Sequence, residues 1–193
     1  MKELIDRFDD ERRDLARQLH STALQHLAAL QIDLCLIESA GLPERAAKAL
    51  AESMELAQAC SKEIRSISGR LHPPLLDQAG LAAALRVLAV DTGCKVGDTF
   101  PDDVGPVPSR VALGAFRIIE EVIADLDQPG MMTLDVSRDE KSISLSITGT
   151  SRARDERAMV VRRLKALHGR RTRWVHGNVW GLRFRLPLTS AES

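Results

Sequence analysis

The first forty residues constrain this chain more than any other stretch. From Glu11 to Asp33 and just beyond, Leu15, Leu19, Ala23, Leu27, Leu30, Leu34 and Ile37 recur at steps of four, four, four, three, four and three. That spacing keeps them on one side of a helix, close to a coiled-coil seam. A seam of this length needs a partner. Gly41 supplies a residue suited to ending a helix and Pro43 one suited to starting the next. The pattern therefore predicts a hairpin of two helices, the first from about Lys2 to about Ser39 and the second from about Pro43 to Leu71. The second carries Ala46, Ala47, Leu50, Met54, Ala57, Cys60, Ile64, Ile67 and Leu71 at threes and fours, and His72-Pro73-Pro74 stops it. One hairpin cannot cover its own apolar stripe, whereas two hairpins make a four-helix bundle, so a homodimer is expected.

From Gly80 the pattern changes to mixed α/β, with the boundary near Leu75 to Gly80. The spacing predicts helices over Leu81–Thr92, Ser109–Leu126 and Glu156–Leu167. Strands are expected at Lys95–Phe100, Met132–Ser137, Ser142–Thr148, Thr172–Val175 and Leu182–Leu188, with a hairpin turn at Arg138-Asp139-Glu140-Lys141 and a frayed tail from Ala191. The fold class expected is α+β: residues 1–76 a helical hairpin that forms a dimeric four-helix bundle, and residues 77–193 a small α/β sandwich. Trp174 and Trp180 are expected in its core.

The 193 residues are enough to bury a core, and no signal peptide is evident. The longest apolar run, Gly80 to Val90, is interrupted by Arg86 and is too short to span a bilayer. No membrane association and a cytoplasmic setting are expected. Cys35, Cys60 and Cys94 stand far apart without the spacing of metal ligands, so neither a disulfide framework nor a metal site is expected. A formal net charge of zero hides a division, because eleven basic residues against Asp155 and Glu156 give Arg152 to Arg185 a net charge of +9. A basic patch of this size could attract an acidic surface or nucleic acid. No row of aromatic residues interleaves with the arginines, and nucleic acid is not the expected partner.

His20 stands on the shoulder of the seam in the segment ARQLHSTALQHLAAL. Spacing alone leaves it open whether this is an idle surface histidine. The segment resembles the phosphoacceptor helix of nitrate-sensor-class bacterial histidine kinases, A-R-E-L-H-D-x-x-x-Q-x-L, matched by Ala16, Arg17, Leu19, His20, Gln25 and Leu27. A second stretch, Ile64 to Leu85, resembles the same family's L-R-x-L-S-x-x-L-H-P-P-x-L-x-x-x-G-L-x-x-A-L. The resemblance implies that His20 is the phosphoacceptor, that Gln25 orients water in dephosphorylation, and that His72 belongs to a helix-ending element. Arg17, with Arg13 a turn earlier, could offset phosphate charge. For the C-terminal half it implies the histidine-kinase ATPase fold, a sheet with helices on one face.

The motifs that would hold ATP depart from the family. Phe116, Arg117, Ile118 and Glu121 match its F-R-I-x-Q-E-A-L-x-N-A-x-K-H-A, but Asp125 replaces the magnesium-holding asparagine. LSITGTSRARD stands in place of L-x-I-x-D-D-G-x-G-F, with Thr148 assigned to the adenine-reading aspartate, and no Gly-x-Gly loop follows. Glu121 and Asp125 would matter only if a nucleotide or magnesium site survives. Beside His20, Ser21 replaces the family's acidic residue, and its hydroxyl cannot serve as a base near neutral pH.

Autophosphorylation needs ATP, a metal and a base. Exchange with a receiver-domain aspartyl phosphate needs a positioned imidazole, since the receiver brings its own magnesium and leaving group. The leading expectation is thus a phosphorelay histidine phosphotransferase that works with a response-regulator receiver and has no cofactor of its own. The alternatives are an ATP-dependent sensor-kinase core with divergent motifs and a non-catalytic dimer that binds partners or DNA.

Overall fold

The computed structural model describes residues 2–38, 42–150 and 158–188. It divides into two units, a helical one of Asp6–Pro73 and one of Met1–Ile5 with Pro74–Ser193 that holds the α/β part.

In the helical unit, α1 (Lys2–Gln18) passes through one π-helical turn (Leu19–Ala23) into α2 (Leu24–Glu38), and α3 (Glu44–Leu71) forms the second arm. The expected helix end at Ser39 and Gly41 lies outside the described residues. Pro43 caps α3, its carbonyl accepting from the amides of Ala46 and Ala47 at 2.8 and 2.9 Å. At the other end His72 leaves the helix with extended backbone while its own amide still bonds Ser68 O at 2.9 Å. The two arms are tied by Ser68, whose buried hydroxyl donates to Ala16 O at 3.2 Å, and by Gln31 Nε2, which donates to Ser61 Oγ at 3.5 Å.

The single seam read from the sequence divides in two. Ala16 (5% exposed) and Leu24 (9%) are the buried apolar residues of the first arm, and Leu19, Ala23, Leu27 and Leu34 are half-buried. Phe8, Leu15, Leu30 and Ile37 remain 53%, 52%, 46% and 46% exposed. Leu27 and Leu34 part from Leu30 and Ile37 within α2 itself, beyond the π-turn, so the split reflects which side of the first arm α3 covers.

The α/β unit contains α4 (Pro74–Gln78), α5 (Gly80–Thr92), β1 (Lys95–Val96), α6 (Ser109–Ala124), a 3-10 turn (Pro129–Met131), β2 (Met132–Arg138), β3 (Ser142–Gly149), α7 (Ala158–Ala166), β4 (Arg170–His176) and β5 (Val179–Pro187). Strand order is β1-β2-β3-β5-β4; β1 runs parallel to β2 and all other pairs are antiparallel. Alternation puts Leu134, Val136, Ile143, Leu145, Ile147, Leu182, Phe184 and Leu186 on one face, where Leu81, Leu85, Ile118, Ile119, Val160 and Leu164 of the helices cover them. The opposite face carries Ser144, Ser146, Thr148, Arg183 and Arg185. This is the expected layered arrangement.

Several boundaries differ from the reading of the sequence. α4 was not anticipated, because its five residues are too few to show a period. β1 stops at Val96 instead of Phe100: the chain turns at Gly97, where Phe100 N bonds Gly97 O at 3.0 Å, and Phe100 enters the core. β4 and β5 are longer than expected. The start of the helix expected at Glu156 lies outside the described residues. Trp180 is in the core, but Trp174 lies on the other face against Gly181, where a side chain would collide with the indole, and Arg183 stacks 5.5 Å from the ring centroid.

Candidate functional site

His20 sits in the π-turn and its imidazole is exposed. The turn is defined by the Leu24 amide, which bonds Leu19 O five residues back rather than four. Arg17 occupies the last turn of α1 and Gln25 the first turn of α2, and both are exposed. The three candidate residues are thus carried by one continuous helical rod and all meet solvent. Arg17 Nη1 lies 3.5 Å from Asp14 Oδ1 with both side chains about two-thirds exposed or more, a contact worth at most about 1 kcal/mol and easily exchanged for another anion. Arg13 is held more closely to the rod and reaches Asp10 at 3.9 Å. His72 is buried at the end of α3.

In the α/β unit, Glu121 lies on α6 and Asp125 just beyond its last residue, the two carboxylates that the resemblance singles out. Glu121 Oε1 lies 3.7 Å from Arg163 Nε of α7, in a pair whose side chains are only 18% and 3% exposed. One turn earlier, buried Arg117 is paired with Glu120. Asp125 caps the C-terminal end of α6 and is half-buried. Among the described residues no group of three His, Cys, Asp or Glu side chains is placed to hold a metal ion.

Leu145 and Ile147 point inward and Thr148 faces away from the helices. Counted along L-x-I-x-D-D from Leu145, the resemblance places the two aspartates at Gly149 and Thr150 rather than at Thr148. Neither residue is a carboxylate. Gly149 moreover passes so close to Met131 O that a Cβ there would collide with that carbonyl and lie 2.9 Å from Met132 Cα, both backbone atoms. A carboxylate side chain has no room at that position in this backbone. The adjoining segment 151–157, which replaces the glycine loop, lies outside the described residues.

Sequence reasoning missed the π-turn, the Arg163–Glu121 pair and the closure at Gly149. The last two join positions far apart in sequence and leave no local signal. The first leaves a trace in the spacing of the buried residues.

A family model for histidine kinases, HisKA_3, matches residues 11–76. The sensor histidine kinase MctS of Rhizobium johnstonii is 31% identical over 130 residues, 61% of this chain and 28% of that protein. The sensor histidine kinase NarS of Mycobacterium tuberculosis is 27% identical over 154 residues, 74% of this chain and 35% of that protein. The chain therefore spans about a third of the length of these relatives. Among solved structures, the Erythrobacter litoralis EL346 blue-light activated histidine kinase superposes with a TM-score of 0.44 at 11% identity, covering 86% of this chain and 59% of the other. A histidine kinase from Burkholderia phymatum STM815 gives 0.39 at 14% identity, with 94% and 98% covered. No helix among the described residues is long and apolar enough to cross a membrane. Residues 11–76 belong to the histidine kinase family, and the chain is built as a histidine-kinase core of the nitrate-sensor class.

Proposed function

We propose that this chain is a phosphorelay protein of two-component signalling in which His20 exchanges a phosphoryl group with response-regulator receiver domains, without ATP of its own. The observation that carries the proposal is the exposed His20 imidazole inside the matched segment 11–76. The lone pair of one ring nitrogen attacks the phosphorus of a receiver's aspartyl phosphate. The N–P bond forms, the P–O bond to the acyl carbon's oxygen breaks, the receiver's carboxylate leaves, and the other ring nitrogen releases its proton to water. An aspartyl phosphate is so activated a donor that Ser21 need not act as a base. Arg17 turns from Asp14 to meet the phosphoryl oxygens, and magnesium held by the receiver's own residues would supply the remaining charge neutralisation. Gln25, one turn along the rod, orients water for the related dephosphorylation of the receiver.

The crowded backbone at Gly149 and the engagement of Glu121 by Arg163 support the part of the proposal that excludes ATP. The apolar stripe of Phe8, Leu15, Leu30 and Ile37 supports a homodimer. A second hairpin covering it would remove apolar area at about 25 cal/mol per Å².

The test is transfer of label from a phosphorylated receiver to wild type and to His20→Ala, without ATP. Label on wild type and none on the variant is expected; equal label on both ends the proposal. A second reading, an ATP-dependent kinase core, is favoured by the sensor-kinase relatives. Micromolar affinity in an ATP titration with magnesium would decide for it.

A further inference from the structure

The two arms of the helical unit do not keep the same repeat. In α3, Leu50, Ala57 and Ile64 are seven apart, as are Ser61 and Ser68, and all five are buried or half-buried. In the first arm the covered positions Asp9, Ala16, Leu24 and Gln31 are spaced seven, eight and seven. The exposed apolar stripe repeats the anomaly: Phe8 to Leu15 is seven, Leu30 to Ile37 is seven, and Leu15 to Leu30 is two sevens and one more. Both faces therefore carry one extra residue between Ala16 and Leu24, where the π-turn lies.

The turn and the extra residue are one feature. Eight residues of regular α-helix rotate by about 800°, which would leave Leu24 about 80° out of phase with Ala16, whereas seven residues leave only about 20°. A π-turn takes up one residue without advancing the helix phase, so Ala16 and Leu24 share a face. A regular helix would not permit this. Stepping back from Leu34, Gln31, Leu27 and Leu24 by threes and fours, the next covered positions would be His20 and Arg17 instead of Leu19 and Ala16. An imidazole that must carry a dianionic phosphoryl group cannot work from a covered seam.

We propose that the π-turn Leu19–Ala23 is the positioning element for His20: by absorbing the extra residue it keeps both helical faces in register and presents the imidazole to a receiver at a fixed angle. This rests on the phosphotransfer reading. The reacting group is unchanged by removal of the extra residue, but its direction is not.

The test uses the full chain with two single-residue deletions, of Thr22 and of Gln18, which restore an unbroken seven-residue repeat from opposite sides of His20. Two phosphodonors are compared: a phosphorylated receiver, which must dock, and phosphoramidate, which is small enough to approach from many directions. Far-UV circular dichroism and thermal unfolding report folding. At least one deletion variant is expected to fold with an unchanged or raised Tm, to be labelled by phosphoramidate like wild type, and to lose about 10–100-fold in transfer from the receiver. Transfer at the wild-type rate overturns the proposal. So do equal losses with both donors, which would mean general damage to the site, and failure of both variants to fold, which would make the turn a requirement of the hairpin alone. Failure of wild type to accept phosphate from any receiver tested would overturn the phosphotransfer reading and this proposal with it, whereas wild-type transfer that persists unchanged in a folded deletion variant overturns the proposal alone.

Discussion

The hydroxyl of Ser68 on α3 donates a buried hydrogen bond to the backbone carbonyl of Ala16 on α1, at 3.2 Å and across 52 residues of sequence. It fastens the arms one turn before the π-turn that holds His20. Ser68→Ala is expected to destabilise the helical unit by about 1 kcal/mol, read as a lower urea midpoint with an unchanged slope. Ser68→Leu should cost more, because a larger side chain must enter a covered seam.

The stripe of Phe8, Leu15, Leu30 and Ile37 predicts how subunits associate. Wild type is expected to scatter light as a dimer at low micromolar concentration. The double variant Leu30→Glu/Ile37→Glu should shift toward monomer, because two carboxylates per subunit cannot be buried unpaired in the new interface. A wild-type monomer of about 21 kDa would remove the bundle from the account.

Arg163 and Glu121 form a pair with little solvent around it. Arg163→Met is expected to destabilise the α/β unit by about 3–5 kcal/mol, since it leaves the Glu121 carboxylate in a poorly hydrated place. The double variant Arg163→Met/Glu121→Leu should recover much of that loss. Thermal unfolding of the four proteins of the cycle measures the coupling.

Three thiols in different surroundings give a separate check on the packing. Cys35 and Cys60 are exposed, while Cys94 is buried, and burial pushes its thiol pKa up. Its sulfur lies 3.4 Å from Met132 O. A disulfide reagent at pH 8 should titrate two thiols quickly and the third only on unfolding, and Cys94→Ala should leave the fast phase unchanged.

The β2–β3 turn predicts a pH effect of known sign. Asp139 accepts from the amides of Lys141 and Ser142 at 2.9 and 2.7 Å, from the Ser142 hydroxyl at 2.9 Å and from Arg185 at 2.8 Å. The Lys141 amide bond and the Ser142 hydroxyl, with Arg185 beyond them, hold its carboxyl below the usual carboxylate value. A pKa lowered in the folded state contributes stability above the unfolded value, and that contribution is lost as the pH falls through the folded value. Carbon-detected NMR titration should place the Asp139 midpoint below that of an unperturbed aspartate. In Asp139→Asn the part of the acid-induced loss due to this turn should vanish.

Much of this architecture is legible in the order of residues, because helices and strands bury their apolar groups at short periods that a local reading can count. The steps of three and four through α3, the stop at His72-Pro73-Pro74 and the alternation along β3 and β5 follow from local geometry. What required the folded chain were relations between distant positions. Whether Leu15 or Ala16 is the covered residue depends on α3 and on a π-turn that conserves register across eight residues. Whether Glu121 is available to a cation depends on Arg163, forty-two residues further on. Whether an aspartate could stand at position 149 depends on how closely Met131 approaches. Periodicity reports which face of an element is apolar, but it does not report which other element arrives there, and it is that arrival that covers Ala16 rather than Leu15 and leaves no room for a side chain at position 149.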